Sequence, residues 1–219
     1  LIKKKNNIDL DGINSDNLDE LFFNYGSDKA NIFKNTNKTG HGYAKFYSKH
    51  LEKLKNKKLN ILEIGSYAGG SAAAFKKYFV KSKIFCFDIN ISNFKFYSKD
   101  IEVYGLDIKN YKKANEIIKK TFNKNEKSHF DLIIDDGSHN LDDMLISFKN
   151  FFRFIKKGGF YIIEDFKFPN YHSYNKNIDD ILVSEMLVNL KKKKIFKSEI
   201  IDINHQKNLH NNIAAISVK

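Results

Sequence analysis

The chain has 219 residues and a formal net charge of +12, and 42% of its residues are hydrophobic. This length predicts one domain with room for a small appendage, and this composition excludes a disordered protein. No apolar run approaches the ~18 residues that a membrane-spanning helix needs, so no membrane association is expected.

The positive charge is almost entirely lysine, because Arg153 is the only arginine. Nucleic-acid sites usually also recruit arginine for bidentate contacts, so solvated lysines are favoured over a nucleic-acid surface. The single cysteine, Cys86, excludes an internal disulfide and favours a cytoplasmic setting. The chain begins with Leu1 and not with methionine, which is compatible with a piece of a longer protein.

The first third of the chain is polar, with short helical patterns. A helix is predicted at residues 16–23, with Asp16 or Ser15 as its N-cap. Residues 26–42 are polar and flanked by glycine, which indicates a loop, either a plain linker or a lid. Apolar residues at helical spacing predict the next helix at residues 43–54. We therefore expect an N-terminal extension with a lid segment at residues 1–42 and the main domain at residues 43–219.

Strands and helices alternate in the middle of the chain. Strands are predicted at residues 59–64, 83–88, 101–105, 131–134 and 160–163, and helical segments at residues 71–79, 91–98, 111–122 and 141–154. Gly158 and Gly159 are expected just past the end of the last of these helices. Such alternation predicts βαβ units and a parallel sheet, an α/β fold.

The end of the chain breaks this alternation. A helix is predicted at residues 178–190, followed by strands at residues 196–203 and 213–218 with no helix between them, which indicates a hairpin. The seven predicted strands would form a doubly wound, Rossmann-like, mostly parallel sheet with a C-terminal antiparallel hairpin strand. This arrangement resembles the S-adenosylmethionine-dependent methyltransferase fold.

A glycine-rich turn follows the first strand of the alternating region. Its pattern is Glu63-x-Gly65-x-x-x-Gly69-Gly70, which departs from the dinucleotide pattern G-x-G-x-x-G. Glycine lets the backbone approach a ligand, and N–H groups at a helix start bind anions. Glu63, Gly65 and Ser66 are therefore candidate cofactor-binding residues, although a merely structural turn is the alternative.

Two further acids lie at strand ends. Asp88 follows Glu63 by 25 residues and stands where an acid accepts the ribose hydroxyls of an adenosine ligand. Asp107 lies after the third strand, where it could contact the adenine. The alternative for each is to cap the segment that follows it.

The most polar strand ends are those of Asp135-Asp136-Gly137-Ser138-His139 and Glu164-Asp165. Clustered carboxylates repel one another, and Mg²⁺ relieves that repulsion with oxygen ligands. Asp136, Glu164 and Asp165 are the candidate ligands; helix capping or pairing with lysine is the alternative. Consecutive residues of a strand face opposite sides, so Glu164 and Asp165 reach one ion only if the chain leaves extended geometry there.

His139 is the candidate general base. Histidine is the side chain best suited to proton transfer near neutral pH, and this one shares a turn with two acids. A lone histidine is more often structural, which is the alternative role for His139.

These motifs resemble the metal-dependent O-methyltransferases of the macrocin and mycinamicin type, which methylate sugar hydroxyls, and are similar to cephalosporin-hydroxylase-like proteins. The resemblance covers residues 25–165. It implies Mg²⁺ on Asp136, Glu164 and Asp165, with His139 as base. It also implies that residues 26–29, with Asp28, help enclose S-adenosylmethionine. With these roles assigned, Asp135 is expected to face the cofactor.

The chain departs from this family at two places. A histidine often lies four residues after the catalytic one, and here that position is Asp143. The aromatic segment after the Glu-Asp pair often carries tryptophan; this chain offers Phe166, Phe168 and Tyr171.

We therefore expect a Mg²⁺- and S-adenosylmethionine-dependent O-methyltransferase for a small-molecule substrate, a sugar or similar polar metabolite, with a homo-oligomer as one possible state. Two alternatives stay open. One is an RNA methyltransferase of the same fold, for which the lysines would form a groove. The other is a non-catalytic cofactor-binding module.

Overall fold

The computed structural model describes residues 5–122, 129–166, 183–192, 196–201 and 213–218. The helices are α1 (Leu18–Tyr25), α2 (Ala44–Leu51), α3 (Gly70–Tyr78), α4 (Tyr111–Thr121), α5 (Leu141–Phe151) and α6 (Val183–Lys192). The strands are β1 (Asn6–Asn7), β2 (Ile32–Phe33), β3 (Lys38–Thr39), β4 (Asn60–Ile64), β5 (Lys83–Asp88), β6 (Phe96–Tyr97), β7 (Ile101–Gly105), β8 (Phe130–Asp135), β9 (Ile155–Glu164), β10 (Phe196–Ile201) and β11 (Ile213–Val218). None of the described helices is long and apolar enough to span a bilayer.

The central sheet has seven strands in the order β10-β11-β9-β8-β4-β5-β7. Strands β4, β8 and β9 run parallel, whereas β11 runs antiparallel to both β9 and β10. The predicted mostly parallel sheet with an antiparallel C-terminal hairpin is therefore confirmed. The carboxyl ends of β4, β8 and β9 lie at the same edge of the sheet, where ligands bind in folds of this kind.

The chain divides into two compact units. The domain boundary that the sequence predicted at residue 42 stays a prediction. The first unit comprises Leu1–Asn60, Ser66–Cys86 and Asn90–Gly105. Its core is aromatic, because the Phe75 ring meets the rings of Phe22 and Tyr47 edge to face, with centroids 5.2 and 5.0 Å away. Edge-to-face pairs add to the stabilisation that burial of these rings provides.

The second unit comprises Ile61–Gly65, Phe87–Ile89 and Leu106–Lys219. Its centre is the apolar run Leu132–Ile134 of β8, buried beside Ile162 and Ile163 of β9. Strands of a parallel sheet are covered on both faces, which explains why these strands are continuously hydrophobic. All three candidate metal ligands and His139 belong to this unit.

Three predicted elements in the first unit differ from the structure. The N-cap of α1 is Asn17, whose side chain accepts hydrogen bonds from two backbone N–H groups; it is neither Asp16 nor Ser15. The predicted loop at residues 26–42 contains the antiparallel pair of β2 and β3. Only residues 91–93 of the segment 91–98 are helical, and β6 follows them because it pairs with β1.

In the second unit, the helix predicted at residues 141–154 ends as α5 at Phe151, followed by one 3-10 turn. Gly158 and Gly159 lie inside β9 and not beyond a helix, since β9 begins at Ile155 with an irregular register. Helix α6 begins at Val183, and residues 178–182 of its predicted range lie outside the described residues. The same holds for residues 202–203 of the strand predicted at 196–203.

Candidate functional site

The chain segments at the ends of β4 and β8 are hydrogen-bonded and closely packed beside the candidate metal ligands. The backbone N–H of Asp136 donates to the Ile64 carbonyl at 2.9 Å. Gly65 has a φ of 81°, and a Cβ on it would lie 2.1 Å from the Asp136 carbonyl oxygen. Only glycine fits there, so the first glycine of the glycine-rich turn is required by contact with the turn that carries Asp136.

His139 lies in that turn in a left-handed backbone conformation, with a φ of 56°. Its Nε2 atom is 3.6 Å from Oδ1 of Asp136. Its Nδ1 atom is buried and has no hydrogen-bond partner among the described residues. A histidine in the left-handed region costs about 1 to 3 kcal/mol, and such strain is concentrated at functional sites.

Asp165 is the second strained residue of the site, with a φ of 50° immediately after the end of β9. This is the departure from extended geometry that the sequence required for two consecutive acids to approach one ion. It brings a carboxylate oxygen of Asp165 within 4.8 Å of ligand atoms of Asp136 and His139. Glu164 is buried at the last position of β9, opposite Ile213, and is not part of that group.

This group fits a hard divalent cation. Mg²⁺ is usually bound by one or two carboxylates and keeps several water molecules, and Asp136 and Asp165 supply two carboxylates. Imidazole is a less favoured ligand for Mg²⁺, which leaves His139 available for proton transfer beside the ion. The donor set therefore agrees with the predicted metal, while the ligand role of Glu164 stays a prediction.

Asp135 is directed into the protein interior. The Tyr161 hydroxyl of β9 donates to Oδ2 of Asp135 at 3.1 Å, and Ser147 of α5 lies 3.0 Å from that hydroxyl. Burial raises the pKa of the Asp135 carboxyl to about 6, although the hydrogen bonds from Ser147 and Tyr161 oppose this rise. These contacts favour a structural role, and the predicted cofactor contact of Asp135 stays a prediction.

This carboxyl makes stability depend on pH. The ordinary pKa of this group, 3.8, applies to the unfolded chain, so the folded state binds the proton more tightly than the unfolded state does. The free energy of unfolding therefore falls as pH rises from about 4 through 6. The Asp135→Asn variant lacks this titration. At 1.36 kcal/mol per pKa unit, its free energy of unfolding minus that of wild type should therefore rise by about 3 kcal/mol between pH 4 and pH 7. Urea denaturation of both proteins in chelator measures this difference, and a difference independent of pH would contradict it.

The predicted cofactor residues of the glycine-rich turn are buried. Glu63 lies inside the sheet, and Ser66 follows Gly65 with a buried Oγ atom that has no hydrogen-bond partner among the described residues. A buried hydroxyl without a partner is costly, so this atom fits a site that a polar ligand completes.

The alternative capping roles of Asp88 and Asp107 are not observed. The N-cap after β5 is Asn90, and the N-cap of α4 is Asn110. Asp107 instead accepts a hydrogen bond from the Lys109 backbone at 2.9 Å and forms a tight turn. Their predicted contacts with ribose and adenine stay predictions, as does the enclosing role of Asp28, an exposed residue of the first unit.

Ile89 is not among the site residues predicted from the sequence. This residue follows Asp88, and 77% of it is exposed. An exposed apolar side chain beside a candidate ribose-binding acid is suited to cover the flat face of an adenine ring. The pattern of an apolar residue directly after the acid at the strand end could have predicted it.

Known proteins resemble this chain in sequence. Residues 62–166 match the family model described as a methyltransferase domain. L-olivosyl-oleandolide 3-O-methyltransferase of Streptomyces antibioticus is 31% identical over 157 residues, which cover 68% of this chain and 36% of that protein. Mycinamicin VI 2''-O-methyltransferase of Micromonospora griseorubida is 26% identical over 144 residues, which cover 57% of this chain and 31% of that protein.

A solved structure shares the fold. The MycE methyltransferase of the mycinamycin biosynthetic pathway, in complex with Mg, SAH and mycinamycin VI, superimposes with a TM-score of 0.71 at 20% identity. The match covers 92% of this chain and 54% of that one. The methyltransferase fold and the resemblance to macrolide-sugar O-methyltransferases are thus confirmed. The chain spans about a third of the length of the two curated relatives named above.

Proposed function

We propose that this chain, whose residues 62–166 match a methyltransferase domain, is a Mg²⁺-dependent O-methyltransferase. It would use S-adenosylmethionine to methylate a hydroxyl of a sugar or of a sugar-linked small molecule. The observation that carries this proposal is the convergence of Asp136, His139 and Asp165 at the end of β8 and β9. The names of two relatives, a mycinamicin VI 2''-O-methyltransferase and an L-olivosyl-oleandolide 3-O-methyltransferase, support the substrate class.

The distances among these residues support a division of roles. Asp136 and Asp165 would hold the metal, with Glu164 as a proposed third ligand. Bound Mg²⁺ supplies positive charge that stabilises developing negative charge on the acceptor oxygen and orients that oxygen. His139 takes the hydroxyl proton, and the carboxylate of Asp136, 3.6 Å from its Nε2 atom, stabilises the imidazolium that results.

The cofactor would lie over the glycine-rich turn. Asp88 would accept the ribose hydroxyls, and Ile89 would cover the adenine near Asp107. The cofactor carries the reactive methyl group, so the protein contributes binding and orientation. The cofactor contacts of Ser66 and Asp28 stay predictions.

The experiment is transfer of a radiolabelled methyl group from S-adenosylmethionine to rhamnosyl and olivosyl glycosides, with Mg²⁺ or with chelator. Label in a glycoside only with Mg²⁺ supports the proposal. Label transferred to RNA, or cofactor binding without transfer to any acceptor, would instead support one of the two alternative functions.

In the same assay, His139→Ala should lower kcat by about 1,000-fold, because a positioned general base contributes about 100- to 10,000-fold. Binding of S-adenosylhomocysteine, measured by calorimetry, should stay within about twofold of wild type, since the imidazole is assigned to the acceptor and not to the cofactor. A variant that retains full kcat would refute the general-base role.

A further inference from the structure

The strained backbone of His139 is held by side chains that the proposed mechanism does not use. The Ser138 hydroxyl accepts a hydrogen bond from the Asn140 N–H at 3.3 Å and donates one to Oδ2 of Asp143 at 2.5 Å. Since Ser138 and Asn140 flank His139, these bonds fix the turn on both sides of the histidine. Asn140 is also the N-cap of α5, so the turn is attached to a regular helix.

The second oxygen of Asp143 extends this chain of contacts. Its Oδ1 atom pairs with Nζ of Lys109 at 2.7 Å, and the Asp143 side chain is only 18% exposed. The hydrogen bond to Asp143 is the main cause that raises the pKa of the Lys109 ammonium above its ordinary value. Lys109 belongs to the tight turn of Asp107, which is thereby connected to the turn of His139.

We propose that Asp143 is a positioning residue for the metal site: through Ser138 it holds the turn of Asp136 and His139 in the conformation that binds Mg²⁺, and Lys109 fixes Asp143. This inference rests on the proposed function. A left-handed histidine persists only where surrounding contacts determine its conformation, and Asp143 supplies one of them by accepting the hydrogen bond of Ser138. Outer partners of metal-binding residues typically contribute 10- to 100-fold to metal affinity.

The test is a calorimetric titration of the protein with Mg²⁺ alone, which measures the affinity for the ion. Asp143→Ala should weaken Mg²⁺ binding by about tenfold. The matched control is Asp142→Ala, which removes the same charge one residue earlier. Asp142 lies 3.9 Å from Lys109, and its side chain makes no described contact with Ser138. Its Mg²⁺ affinity should stay within about twofold of wild type, because long-range charge effects are largely screened.

Four further variants separate positioning from general destabilisation. Ser138→Ala should weaken Mg²⁺ binding about as much as Asp143→Ala, and the double variant should lose no more than either single one, because both act through one contact. Lys109→Arg should retain the affinity, and Lys109→Met should lose part of it. Affinity for S-adenosylhomocysteine should be unchanged in the Ser138 and Asp143 variants, because neither side chain is assigned to the cofactor.

Each other outcome overturns a stated claim. An equal loss of Mg²⁺ affinity in the Asp142 and Asp143 variants would mean that only the removed charge matters. A parallel loss of S-adenosylhomocysteine binding would mean that the variant is misfolded. Both outcomes reject the positioning role. Unchanged Mg²⁺ affinity in Asp143→Ala rejects this inference alone. A wild-type protein that binds no Mg²⁺ rejects the proposed metal site together with it.

Discussion

Asp136→Asn should strongly weaken Mg²⁺ binding and strongly slow methyl transfer together. The carboxylate of Asp136 lies within 4.8 Å of ligand atoms of both His139 and Asp165, so its loss removes a ligand and the charge beside the base. We expect Mg²⁺ affinity to fall by more than about 100-fold, because a direct ligand contributes more than an outer partner. Methyl transfer should fall by about 1,000-fold, since metal-derived charge stabilisation is worth several kcal/mol.

The same strand provides the control for this variant. Asp131 lies at the opposite end of β8, where its carboxylate pairs with Lys156 at 3.0 Å. Asp131→Asn makes the same chemical change, yet it should leave Mg²⁺ affinity and turnover within about twofold of wild type, because surface ion pairs contribute little. Full turnover of Asp136→Asn, or of wild type in excess chelator, would show that the reaction does not use a metal here.

Gly65→Ala should be strongly destabilising. Its φ of 81° is strained for any residue with a Cβ, and that Cβ would lie 2.1 Å from a backbone oxygen of Asp136, which cannot rotate away. Left-handed strain costs about 1 to 2 kcal/mol and overpacking about 1 to 3 kcal/mol. We expect the free energy of unfolding, measured by urea denaturation, to fall by about 3 to 4 kcal/mol.

Gly158→Ala separates these two contributions. Gly158 has a φ of 77°, but among the described residues beyond its two chain neighbours no atom lies within 4 Å of the position that its Cβ would take. This variant should lose only the cost of strain, about 1 to 2 kcal/mol. Equal losses in the two variants would mean that the turn of Asp136 moves away from the new methyl group without cost.

The elements that the sequence predicted well are those with strong periodicity. The buried run of β8 and the unbroken polar connection before β11 indicated a mostly parallel sheet with a terminal hairpin, and the structure has it. The pair of β1 and β6 was missed because each strand has two residues and Asn6-Asn7 carries no apolar pattern. Such pairing depends on tertiary contacts that local propensity does not encode.

The site was predictable in composition and less so in geometry. Strand-end acids placed Asp136 and Asp165 together, and the need for a bend at Asp165 could be stated from the period of a strand. The contact of Asp143 with Ser138 and Lys109 was not predictable, because Lys109 is 34 residues away in the sequence and no pattern relates the two. Long-range ion pairs become visible only when the fold sets their distance.

The register of β9 and β11 has a consequence for the synthesis of this chain. Glu164 pairs with Ile213, which leaves the ribosome 49 residues later. Until then, one edge of the apolar strand β9 has no hydrogen-bonding neighbour from β11, and an open hydrophobic edge invites pairing with other chains. Strand β9, which ends at Glu164, therefore completes its pairing late in translation. Chaperones that cover this edge would protect the nascent chain from aggregation.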